Sequence, residues 1–196
     1  MHPAIFLDRD GVIVENRSTY IRSWQDIEFL PGALAALYML RSSPLKVFII
    51  TNQSAVGHGI ISQTKADEIN QQLLLDIQKA GGRVDGIYMC PHCPEDYCNC
   101  RKPQPGLIIK AAQEHSIDLG KSIFVGDALT DLEAGMNAGI NQLVLVLTGR
   151  GYQQSRLPGA ASLKPFSVFD TLGEAVTTII NKLNKTDPDP DAEHQL

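Results

Sequence analysis

Short apolar runs alternate along this chain with longer amphipathic stretches. Runs at positions 4–7, 46–50, 87–89, 122–125 and 143–147 carry little polar face, as strands buried on both sides of a parallel sheet do. A further run at 167–169 reads as an edge strand. Pro31 and Gly32 open a helix that runs to about 41. Ser62 is the predicted cap of a helix over 63–80, with Ala66, Ile69, Leu73, Ile77 and Ala80 on one face and Gly81-Gly82 as its stop. Pro105 and Gly106 open a helix to about 115, and further helices are predicted over 129–138 and 172–183. The alternation predicts an α/β fold: a three-layer, Rossmann-like parallel sheet with crossover helices. A single domain over 1–183 is expected, with no large inserted cap domain. The stretch 184–196 is polar, acidic and broken by prolines, and is predicted to be a disordered tail.

Chemistry gathers where the strands end. After the first run comes Asp8-Arg9-Asp10-Gly11. Side chains two apart on an extended strand point the same way, so both carboxylates are expected to face one site, with Gly11 allowing a sharp turn. Like charges that close need a metal ion, a shared proton or solvent. The second run leads to Thr51-Asn52-Gln53-Ser54, and the fourth to Gly126-Asp127 with Asp131 four residues on. Arg101-Lys102-Pro103 lies between them. In an open α/β sheet, ligands bind at the carboxyl ends of the strands. Singly these residues have ordinary explanations: an Asp-Gly turn, a capping threonine, an exposed lysine, an acid favoured by a helix dipole. Together they make acids for a metal, hydroxyls and amides for phosphate oxygens, and a cation to neutralise charge.

All four cysteines lie within Cys90-Pro91-His92-Cys93-Pro94-Glu95-Asp96-Tyr97-Cys98-Asn99-Cys100. Such crowding predicts a metal, and zinc wants four nitrogen or sulfur ligands in a tetrahedron. Spacing alone allows Cys90, Cys93, Cys98 and Cys100. A closed four-ligand site is structural, and its expected task is to aim the adjacent Arg101 and Lys102.

The formal charge of −5 over 196 residues argues against a nucleic-acid partner. No apolar run is long enough to cross a bilayer, and no secretory signal is read at the N-terminus, so a cytoplasmic location with no membrane partner is expected.

On Asp8-Arg9-Asp10-Gly11, Thr51, Lys102 and Gly126-Asp127 with Asp131, the chain resembles the haloacid dehalogenase superfamily of phosphatases. With Thr51-Asn52-Gln53-Ser54, the cysteine segment and Arg101-Lys102-Pro103 added, it resembles the branch acting on heptose 1,7-bisphosphates. Histidinol-phosphate phosphatases are close relatives. The resemblance implies a haloacid dehalogenase-like fold with a zinc-binding loop. It implies Asp8 as nucleophile and Asp10 as general acid and base. Magnesium would be held by Asp8, the Asp10 backbone carbonyl and Asp127, with Asp131 in support behind them. Thr51 and Lys102 would hold the phosphoryl group, and Asn52, Gln53, Ser54 and Arg101 would contact substrate. The zinc set it implies is Cys90, His92, Cys98 and Cys100, leaving Cys93 free. The expected partner is a small phosphorylated sugar, met by a monomer.

Two departures touch the site: Ala128 stands where several relatives carry lysine or another polar residue, and His58 where arginine is frequent. Two other classes remain for comparison. A signalling receiver domain would carry its acceptor aspartate at a middle strand end, where this chain offers Thr51. A non-catalytic, zinc-stabilised binding module would leave Asp8 dispensable.

Overall fold

The computed structural model describes residues 1–163 and 165–186. Six strands form one parallel sheet in the order β3-β2-β1-β4-β5-β6. They are β1 (Ala4–Leu7), β2 (Lys46–Asn52), β3 (Gly86–Cys90), β4 (Ile123–Gly126), β5 (Gln142–Val146) and β6 (Ser167–Phe169). The helices are α1 (Ala33–Leu40), α2 (Ser54–Gly57), α3 (Gln63–Lys79), α4 (Gly106–His115), α5 (Leu129–Asn137), α6 (Gly151–Gln154), α7 (Pro158–Leu163) and α8 (Leu172–Thr186).

The buried strands alternate their side chains between two cores. Ile5, Leu7, Val47, Ile49, Val125 and Val146 face α1, α3 and α8. Ala4, Phe6, Phe48, Ile50, Phe124 and Leu145 face α4, α5 and α7. Phe6 stacks between Phe48 and Phe124, with ring centroids 5.5 and 6.4 Å away. Because both faces are covered, the strands read as continuous apolar runs, and the three-layer expectation holds.

Several boundaries shift. β2 runs on through Thr51 and Asn52, and β3 includes Cys90. The pairs Thr51↔Met89 and Asn52↔Cys90 extend that ladder beyond the apolar run, because register carries pairing past the last hydrophobic residue. The short helices α2, α6 and α7 have too few turns for a periodic pattern. Ser62 caps α3 as expected, accepting from Lys65 N at 3.1 Å. Ala66, Ile69, Leu73 and Ile77 are buried, but Ala80 is exposed, because the helix ends at Lys79 and Ala80 takes the cap position. Positions 184–186, expected in the tail, form the last turn of α8; 187–196 lie outside the described residues.

The strand order reverses direction at β1, so β2 and β4 flank it and a crevice opens at their carboxyl ends. Among the described residues no inserted domain covers that edge, and no helix is long and apolar enough to cross a membrane.

Candidate active site

The carboxyl edge of β1, β2 and β4 gathers the acids. Leu7 pairs with Ile49 and Val125, and Asp8 N donates to Val125 O at 2.9 Å, so Asp8 emerges between the neighbouring strand ends. Asp8, Asp127 and Asp131 are buried, and each offers a carboxylate oxygen to a cluster within 4.8 Å. Lys102 Nζ lies among them. It donates to Asp8 Oδ1 at 2.6 Å and to Ile50 O at 2.9 Å, and stands 2.7 Å from Asp131 Oδ1. The ammonium's three protons therefore all have acceptors. Asp131 also closes the first turn of α5, its Oδ2 accepting from Ala128 N at 3.0 Å.

One ammonium does not balance three buried carboxylates. Burial pushes the Asp8 carboxyl up to about 7; Lys102 opposes that rise, while Asp131 and Asp10 add to it. Asp127 is also shifted upward, first by burial and then by Asp8, with Arg150 pulling the other way. Burial alone would lower Lys102, but Asp131 and Asp8 outweigh it and hold the ammonium at about 12. A hard divalent cation fits this oxygen set and its unmet negative charge.

Close backbone approach shapes the site. Gly11 has φ +87°, and a Cβ there would collide with the Asp127 carboxylate. A Cβ on Gly126 would strike Asp131. These positions need glycine for space, and Gly11 also for conformation.

Asp10 lines the same cavity as Asp8, as expected, but stands outside the acidic trio. The strand ends at Leu7, and the Asp10 carboxylate turns towards Arg9 and Gln53 instead of joining the acidic trio. Arg9 Nη2 reaches both its oxygens at 3.0 Å, Arg9 Nε reaches Oδ1 at 3.2 Å, and Gln53 Nε2 reaches Oδ2 at 2.8 Å. Arg9 is itself buried and donates to Asn70 Oδ1 at 2.9 Å. Gln53 Nε2 also bonds the buried Thr51 Oγ1 at 2.9 Å.

Asn52 and Ser54 organise the 101–103 segment. Asn52 bonds Lys102 through both main-chain groups. Arg101 Nη1 donates to Ser54 Oγ and to His92 O, each at 3.0 Å. The Lys102–Pro103 peptide is cis.

Every residue nominated for catalysis or substrate contact except Thr51 lines one cavity of about 590 Å³. Arg9, Asn16, Arg17, Tyr20, Thr130 and Arg150 also line it. Arg9, Asn16 and Arg150 are the residues that sequence reasoning missed. Arg150 N donates to Asp127 Oδ2 at 2.8 Å, its Nη2 lies 3.3 Å from Oδ1, and Asn16 Nδ2 is 3.5 Å from Oδ2. The signal for Arg150 was available: Thr148-Gly149-Arg150-Gly151 follows another strand of the same parallel sheet.

Cys90, His92, Cys98 and Cys100 form a second cluster. Cys100 Sγ lies 3.2 Å from Cys90 Sγ, 3.3 Å from Cys98 Sγ and 3.2 Å from His92 Nδ1. Cys90 Sγ is 3.6 Å from both Cys98 Sγ and His92 Nδ1. Tetrahedral zinc at about 2.3 Å from each sulfur sets sulfur pairs at about 3.8 Å, and the three sulfur pairs, at 3.2, 3.3 and 3.6 Å, need to spread only slightly to reach it. Burial raises the Cys98 thiol, but bonds from Cys100 and from the backbone N–H groups of Cys100 and Arg101 bring it down to about 7. Amides pointing at a sulfur favour thiolate, the form that binds metal. Cys93 Sγ points away, 3.9 Å from Ser54 O.

Comparison with known proteins bears on the family. A family model described as HAD-hydrolase-like matches residues 99–175. The chain is 41% identical over 145 residues to the D-glycero-beta-D-manno-heptose-1,7-bisphosphate 7-phosphatase of Helicobacter pylori, covering 73% of this chain and 83% of that one. It is 38% identical over 143 residues to the D-glycero-alpha-D-manno-heptose-1,7-bisphosphate 7-phosphatase of Campylobacter jejuni, covering 73% and 81%. The crystal structure of D,D-heptose 1,7-bisphosphate phosphatase from B. bronchiseptica, complexed with magnesium and phosphate, superposes with a TM-score of 0.84 at 33% identity, over 92% of this chain and 99% of that one.

Proposed function

The chain belongs to the heptose-1,7-bisphosphate 7-phosphatases of the haloacid dehalogenase-like hydrolases, and from that premise we propose that it removes the 7-phosphate of D-glycero-D-manno-heptose 1,7-bisphosphate. The observation that carries the reading is Asp8. It is a buried carboxylate at a strand end, 2.6 Å from a lysine, among two further acids and under a cation-lined cavity.

Asp8 attacks phosphorus, and the bond from phosphorus to the sugar oxygen breaks. Asp10 gives its proton to that oxygen as it leaves. A water then attacks the aspartyl-phosphate, losing its proton to Asp10, and phosphate departs with Asp8 restored. Thr51 and Lys102 hold the phosphoryl oxygens, where charge must be stabilised in flight. Asp8, Asp127 and the Asp10 carbonyl would hold magnesium, which would neutralise negative charge at the reacting phosphoryl group. Asp131 acts from behind, fixing Lys102. Gln53 and Arg9 set the orientation of Asp10, and Asn52, Ser54 and Arg101 meet the sugar end. Zinc on Cys90, His92, Cys98 and Cys100 would brace the loop that presents Arg101 and Lys102.

Histidinol phosphate is the competing substrate. Charge favours the bisphosphate: Arg9, Lys102 and Arg150 are paired with acids of the site, and Arg17 and Arg101 line the cavity in addition to them. That surplus suits a second anionic group and opposes a cationic amine. The product, a heptose 1-phosphate, suits nucleotide activation for cell-surface polysaccharide such as lipopolysaccharide, and a monomeric cytoplasmic enzyme is part of the proposal.

The test is turnover with magnesium on the α- and β-anomers of the bisphosphate and on histidinol phosphate, with phosphorus NMR identifying the phosphate lost. Preferred release from the heptose 7-position is expected. Faster turnover of histidinol phosphate would overturn the substrate, and no release from any of them would overturn the activity.

A further inference from the structure

We propose that Arg150 is the resting counter-ion of the divalent-metal site: its guanidinium neutralises Asp127 until a metal ion displaces it, so this arginine sets the site's metal affinity. The proposal rests on the metal assignment made above.

Two cations reach the three buried carboxylates, and they are held differently. Lys102 is buried, with acceptors at 2.6, 2.7 and 2.9 Å. To leave, it would have to give up all three acceptors. The Arg150 side chain is 52% exposed, and its guanidinium meets Asp127 only at 3.3 and 3.5 Å. These are long contacts for an ion pair. It can swing into solvent with little loss of packing.

Asp127 does not need the guanidinium to keep its place. Arg150 N donates to Oδ2 at 2.8 Å from the main chain. The loop carrying that N–H is tied down by Thr148 Oγ1, which donates to Gly11 O at 2.6 Å. Gly11 and Gly149 both pack against the Asp127 carboxylate so closely that a Cβ on either would collide with it. The backbone positions the carboxylate, and the side chain supplies charge.

The charges agree with exchange. Asp8, Asp127 and Asp131 carry three negative charges when ionised, and Lys102 carries one positive. With Arg150 in place one negative charge remains unmatched. A divalent ion in its stead balances the set. The guanidinium and a cation bound at Asp127 Oδ1 compete for the same oxygen.

The experiment compares the full-length protein with Arg150→Gln, Arg150→Lys and Asn16→Ala in magnesium-free buffer. Mn²⁺ is added as the probe, and the free ion is counted by electron paramagnetic resonance. Arg150→Gln is expected to bind Mn²⁺ about two- to fivefold more tightly than wild type, the scale of a part-exposed ion pair. Arg150→Lys should fall between them, and Asn16→Ala should show no gain because it removes no charge. Melting gives the second readout. Without metal, Arg150→Gln should melt below wild type, and saturating Mn²⁺ should narrow the gap. Equal or weaker binding by Arg150→Gln, or a stability gap that metal does not narrow, would overturn the counter-ion. Absence of Mn²⁺ binding from the wild-type protein would remove the metal assignment along with it.

Discussion

Asn52 and Lys102, fifty residues apart, are bonded reciprocally: Asn52 Nδ2 donates to Lys102 O at 3.2 Å, and Lys102 N donates to Asn52 Oδ1 at 3.1 Å. A side chain at the end of β2 thus imitates a neighbouring strand for a residue in a loop. It fixes the backbone from which the ammonium reaches Asp8. Asn52→Ala is expected to lower kcat about tenfold or more, since small misplacements of a catalytic group are expensive. The zinc content should not change. Unaltered kcat would show that the lysine is placed by other contacts.

Asp8 links activity to stability through its proton. Its folded-state carboxyl titrates near 7 against an ordinary value of 3.8. The folded metal-free protein therefore holds a proton that the unfolded chain has released. This contribution to stability is full below about 4 and is lost as pH rises through about 7. Asp26 and Asp76 act in the opposite sense, their pKa values being lowered by hydrogen bonds from the Arg22 backbone and from Lys79 respectively. The informative quantity is thus the difference between wild type and Asp8→Asn. The wild-type melting temperature, measured without metal, should fall relative to the variant between pH 5 and 8. Saturating magnesium should flatten the difference. Parallel melting curves across that range would contradict a raised Asp8.

The same variant tests the chemistry. Asp8→Asn keeps shape and loses the nucleophile, so turnover should drop by about a thousandfold or more while circular dichroism stays unchanged. A binding module that needs no nucleophile would be indifferent to the change.

Gly11 has its φ in the left-handed region with the Asp127 carboxylate against its Cα. Gly11→Ala should destabilise the protein by about 1–3 kcal/mol in a denaturant titration. It should also weaken metal binding, because the carboxylate must move. A stability loss without any change in metal affinity would mean that the backbone gives way instead.

Zinc removal should act at a distance. Arg101 is bonded to the carbonyl of His92 within the metal-binding loop. Chelation is expected to loosen Arg101 and Lys102 and to raise KM while lowering kcat. By elemental analysis, Cys93→Ser should retain one zinc per chain and Cys98→Ser should lose it. Equal retention by both would refute the four-donor set.

The three layers were readable because strands buried on both faces leave unbroken apolar runs, and α3 announced itself through Ser62 and its buried stripe. The acids at 8, 127 and 131 were readable because they follow such runs. The partner of Asp10 was not readable. Neighbouring residues on a true strand point apart, and only the ending of β1 at Leu7 lets Arg9 fold back onto Asp10. Arg150 was overlooked because an arginine after a strand is commonplace until the sheet order places that strand beside β4.

Residue order alone determined the layered α/β architecture, the family and the types of chemistry available, since periodicity, strand-end acids and clustered cysteines are local properties. The tertiary structure alone decided which charges meet. Lys102 is shared between Asp8 and Asp131, and Arg150 lies over Asp127. Those outcomes depend on distances between segments tens of residues apart, which sheet order and register set and no local pattern encodes.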